Sequence, residues 1–120
     1  MDNEILNLAA ALDRMGGDTE LLEEVARLFL ETTPKLLDQI RWAAGGRNSP
    51  ELGRAAHTLK GSAQNFGATA VVEAAFRLEQ MGRAGDLTGV DEAVAALEAE
   101  MERLEPALVA LTTKTGGVSR

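Results

Sequence analysis

From Val90 to Leu111 the apolar residues Val90, Val94, Leu97, Met101, Leu104, Leu108 and Leu111 recur at alternating intervals of four and three. Each helical residue turns by about 100°, so this spacing keeps all seven on one buried face of an α-helix. The alternation of fours and threes is the seam of a helical bundle. Leu52, Ala56, Leu59, Ala63 and Phe66 repeat the rhythm, and Leu21, Leu22, Val25, Leu28, Phe29, Leu36, Leu37 and Ile40 mark another long segment. No stretch alternates apolar and polar residues as a half-buried strand does. Alanine, leucine and glutamate, which lose little rotamer freedom in helices, dominate the chain.

Glycine, proline and capping residues divide the pattern into five helical segments. The first runs from about Asn3 to Met15 and stops at Gly16-Gly17. Asp18 caps the second, which carries Pro34 as an expected kink and stops at Gly45-Gly46. Ser49 is the predicted N-cap of the third, with Pro50 at its first position and Gly67 as a left-handed cap just past Phe66. Thr69 is the predicted cap of the fourth, which ends near Gly85. The fifth starts around Thr88 with Asp91 completing a capping-box-like pair, and Pro106 is expected to bend it or end it early. From Thr112 onward periodicity is lost. The prediction is an all-α fold: an antiparallel up-down-up-down four-helix bundle with a short additional N-terminal helix, spanning residues 1–111, with 112–120 a flexible tail.

The chain of 120 residues fits one domain, and its formal charge of −7 opposes binding to nucleic acid, which needs cationic surface. No apolar run approaches the roughly 20 residues of a membrane span. Met1-Asp2-Asn3-Glu4 does not open a signal peptide. Cysteine is absent and histidine occurs once, which removes disulfide and thiolate chemistry and argues against a structural zinc site. No glycine-rich phosphate loop of the nucleotide-binding type is present. These features imply a cytoplasmic protein with no cofactor of its own.

The single histidine, His57, lies roughly 140° from the centre of its helix's apolar stripe and so points outward. Lys60 is one turn along, where it would neutralise an anion carried on the ring. Gly61 removes a side chain beside the imidazole, at a cost of about 1 kcal/mol in a helix interior. Gln64 is two turns along on the same face. By composition and spacing alone, a lone histidine near a lysine is more often a solvated surface residue, and Gly61 can be a packing glycine and Gln64 an ordinary amide.

The segment His57-Thr58-Leu59-Lys60-Gly61-Ser62-Ala63-Gln64-Asn65-Phe66-Gly67-Ala68 closely resembles the signature of histidine-containing phosphotransfer (HPt) domains. Gly16-Gly17-Asp18, Leu21-Leu22 and Leu28-Phe29-Leu30 are similar to that family's opening, and Leu78-Glu79 and Ala84-Gly85-Asp86-Leu87 to its fourth helix and following turn. The resemblance implies a phospho-acceptor at His57, charge neutralisation by Lys60 and steric access through Gly61. By offset it makes Glu79 the residue that orients the ring, with Gln80 the alternative in a different register and a plain solvent-facing glutamate the other reading. Gln64, where the family favours small residues, becomes a phosphoryl or partner contact. Ser62 and Asn65 are expected to pin the helix end. Phe66 replaces an aliphatic residue and changes packing only. The implied partners are response-regulator receiver domains and a sensor histidine kinase, possibly hybrid in architecture, with magnesium held by the receiver. The chain itself would be a monomeric carrier with no nucleotide or metal site. The alternative is a bundle that binds receiver or kinase domains without being phosphorylated. Whether the domain stands alone or belongs to a longer hybrid kinase is open in the sequence. A carboxylate-bridged metal enzyme is not supported, since Arg54 stands where a Glu-x-x-His pair needs glutamate.

Overall fold

The computed structural model describes residues 5–118, which form five helices and, among the described residues, no strand. They are α1 (Leu8–Arg14), α2 (Thr19–Gly45), α3 (Ser49–Gln64), α4 (Thr69–Ala84) and α5 (Val90–Val118). Each long helix packs on two others: α2 on α3 and α5, α4 on α3 and α5, while α1 rests on α2. The five residues of the α3 stripe are buried without exception, and Val90, Val94, Leu97, Met101, Leu104 and Leu108 line the α5 side of the same core. Burying a leucine or phenylalanine of this set contributes about 1.5–3 kcal/mol each. Phe66 meets Phe29 edge-on at 5.4 Å between ring centroids, so the aromatic that departs from the family pattern ties the end of α3 to α2.

Several boundaries move by one or two residues, each for a local reason. Asn48, not Ser49, caps α3: its side chain accepts from the Glu51 amide, which places Pro50 one position deeper. Thr69 is the first residue of α4 and not its cap; Ala68 holds that position without a side-chain bond. Ahead of α5 the Thr88 amide donates to Asp86 Oδ1, so Asp91 makes no capping box and lies in the first turn, where it complements the helix dipole. The first helix begins at Leu8, after Asn7 caps it; the part expected over residues 3–4 lies outside the described residues. Neither proline ends its helix. Pro34 sits inside α2 and Pro106 inside α5, whose backbone runs on past Thr112 to Val118.

Two left-handed glycines close the ends of the site-bearing helices. Gly85 follows α4 at φ +70°, and Gly67 follows α3 at φ +60°. At Gly67 the N-terminal segment also comes very close, since an added Cβ would lie 2.7 Å from that of Asn7. The Asn7 amide donates to the Phe66 carbonyl at 2.8 Å, fastening the start of α1 to the α3–α4 turn.

Candidate functional site

The site is built on the crossing of α3 and α4, which is set by two glycines. A Cβ placed on Gly82 would stand 2.5 Å from the Gly53 nitrogen and 2.7 Å from the Ser49 carbonyl oxygen. Backbone therefore meets backbone here. Early α3 faces late α4, so the helices run in opposite senses, and one turn beyond the crossing His57 comes over Glu79.

His57 is on the outside, with its side chain 60 % exposed, whereas Glu79 is only 2 % exposed beneath it. The ring nitrogen Nδ1 lies 2.9 Å from Glu79 Oε2. A carboxylate has no hydrogen to give, so Nδ1 carries the proton and donates. In the neutral imidazole that assignment fixes the tautomer, with the lone pair on Nε2 of an exposed side chain. Burial pushes the Glu79 carboxyl up, but Lys60, His57 and Arg83 together outweigh it and hold the group below the ordinary carboxylate value. The acceptor is thus an ionised carboxylate under an exposed imidazole.

Three donors share this one carboxylate. Arg83 approaches Oε2 at 2.7 Å, and Lys60 Nζ lies 2.8 Å from Oε1. The lysine contact is close but poorly directed, since Oε1 has no aligned hydrogen-bond donor. Lys60, 19 % exposed, also stands 4.9 Å from the centre of the Phe76 ring, and the two contacts hold its charge beside His57.

Gly61 is exposed, and an added Cβ there would meet nothing within 4 Å. No packing among the described residues requires a glycine at this position. Gln64 ends α3, exposed and about 10 Å along the helix from His57, apart from the cluster. Gln80 is exposed on α4, and Glu79 holds the contact to the ring. Asn65 is the C-cap of α3 through its backbone amide, which donates to the Ser62 carbonyl. A shallow concavity of about 240 Å³ opens beside His57 between Arg54 and Arg83.

Sequence reasoning missed Arg83, Phe76 and the Gly53–Gly82 pair. The offset of four from Glu79 to Arg83 was a usable signal, because residues so spaced on a helix are neighbours. Nothing local announces a contact between glycines almost thirty residues apart.

Comparison with known proteins bears on the fold and on the family. The fold is that of the crystal structure of histidine-containing phosphotransfer protein B (HptB) from Pseudomonas aeruginosa PAO1. That superposition has a TM-score of 0.86 at 17 % identity and covers 94 % of this chain and 98 % of the other. No curated protein sequence gives a significant match. The Hpt domain sequence profile matches residues 24–107, a span that takes in α3, α4 and the whole cluster around His57. With most of its length inside that profile, this chain belongs to the Hpt domain family.

Proposed function

We propose that this protein is a phosphorelay intermediate in two-component signalling, carrying a phosphoryl group on Nε2 of His57. The observation that supports it best is the buried, ionised Glu79 accepting from Nδ1 of an exposed imidazole. In this reading the Nε2 lone pair attacks the phosphorus of an aspartyl phosphate on a receiver domain. The N–P bond forms as the P–O bond to the aspartate breaks, and the carboxylate leaves with the electron pair. Positive charge developing on the ring faces Glu79, and Lys60 turns from Oε1 toward the phosphoryl oxygens. Gly61 leaves space for the partner's backbone, and Gln64 borders the docking surface. Transfer to a second receiver is the same step reversed. Magnesium belongs to the receiver, and the chain acts as a carrier with no nucleotide or metal site of its own.

The sensor histidine kinase, hybrid or not, supplies phosphoryl groups to the relay. The domain works as a cytoplasmic monomer, an up-down-up-down bundle over residues 1–111 with α1 as its additional helix. No helix among the described residues is long and apolar enough to cross a membrane.

The test is intact mass after incubation with phosphorylated receiver domains and magnesium. Gain of one acid-labile phosphoryl group, absent in His57→Gln, is the expected result. No gain across a broad receiver panel would overturn the relay and leave an interaction bundle as the better reading.

A further inference from the structure

On the side of the bundle away from His57, a half-open groove of about 260 Å³ lies between α2 and α5. It shares no lining residue with the concavity beside His57. Its floor is apolar: Phe29 and Leu37 from α2, Met101 and Leu108 from α5. Its rim is acidic, formed by Asp38, Glu98, Glu102 and Glu105. The one cation on the rim, Arg41, is already bound to both Asp38 and Glu98. Glu102 and Glu105 form no ion pair among the described residues, and both are exposed.

The two helix-interior prolines add a second feature. Pro34 removes the amide that would bond to the Leu30 carbonyl, and Pro106 removes the one that would bond to the Glu102 carbonyl. Leu30 and Glu102 both line this groove. The surface is therefore acidic at its rim and apolar at its base. From Phe29 to Arg41 it is about 18 Å long, the length of three helical turns.

We propose that this groove docks a cationic amphipathic helix of a partner protein, with leucine-like side chains on the floor and arginine or lysine against Glu102 and Glu105. Charge complementarity selects that occupant: cations answer Glu102 and Glu105, whereas a second copy docking through this same face would bring its own Asp38, Glu98, Glu102 and Glu105 to an acidic rim. The inference is independent of the phosphorelay reading, since the two faces have no residue in common.

The experiment titrates the isotope-labelled full chain with an amphipathic helical peptide bearing leucine on one face and arginine on the other, followed by amide chemical shifts. Shifts centred on Leu37, Met101 and Leu108 are expected, with affinity reduced about tenfold in the Glu102→Gln/Glu105→Gln double variant. Both positions are exposed, and the variant's own spectrum reports that it is folded. A peptide with glutamate in place of arginine is expected not to bind. The proposal is overturned if the shifts centre on Trp42 or His57, or if the double variant binds as tightly as the parent. It is also overturned if the glutamate peptide binds equally well, or if spermine alone reproduces the same shifts.

Discussion

At the scale of single residues, Gly61 and Glu79 separate function from stability. Gly61 occupies an exposed helix interior with open space around it, so Gly61→Ala is expected to stabilise the fold by about 1 kcal/mol in urea denaturation. The same variant should slow phosphoryl exchange with a receiver by roughly tenfold or more, because the methyl group displaces the partner. Glu79→Gln is expected to cost about 1–3 kcal/mol at neutral pH by weakening its bonds to three cationic or polar donors. The pH dependence has a definite sign. The folded-state carboxyl lies below its ordinary value of 4.5, so the wild-type advantage over Gln is fully present above that value. It shrinks as pH falls through the lower folded-state value, and paired denaturation curves from neutral to acid pH measure it. The outward direction of His57 and the place of Lys60 on its flank were legible in the sequence, because helical phase fixes where each side chain points. The role of Glu79 was legible only by family offset. Arg83 and Phe76 entered the site through helix docking, which no local pattern encodes.

At the scale of elements, the α3–α4 pair carries the site and its tightest constraint. Gly82→Ala would drive a methyl group into the Gly53 backbone, and the expected cost is about 1–3 kcal/mol despite alanine's better helix propensity. Gly53→Ala is the control: its Cβ would make contacts of 3.6 Å, so that substitution should be neutral or stabilising. Thermal unfolding of the two variants in parallel gives the comparison, and only Gly82→Ala should also weaken phosphoryl transfer by lifting Glu79 from His57. Helix number and buried faces were readable from periodicity, since one face of each helix must be apolar. The caps were less readable. Asn48 and Ser49 are both competent N-caps, and which one serves depends on the turn leaving Gly46, where Asn48 donates to the Ala43 carbonyl. Pro34 was expected within a continuous helix and lies there, whereas Pro106 was expected to bend its helix or end it early, and that helix continues, held by core residues on either side.

At the scale of the whole molecule, stability is distributed unevenly. The seven-residue α1 is too short to persist alone and, among the described helices, packs on α2. Its attachment near the site is the Asn7 bond to the Phe66 carbonyl. Hydrogen exchange by mass spectrometry should find the α1 amides opening well before those around Leu59 and Leu97, with the site still intact. Charge is uneven too: Lys60, Arg54 and Arg83 gather around His57 on one face of a protein whose formal charge is −7. In the proposed relay, the division of Glu79 between its two oxygens has a consequence for traffic through the molecule. Lys60 leaves Oε1 when a phosphoryl group arrives and returns when it departs, while Oε2 keeps the imidazole oriented throughout. Loading and unloading then start from the same arrangement of atoms. Such a carrier imposes no direction of its own; the current runs whichever way the partners' phosphoryl-transfer potentials slope.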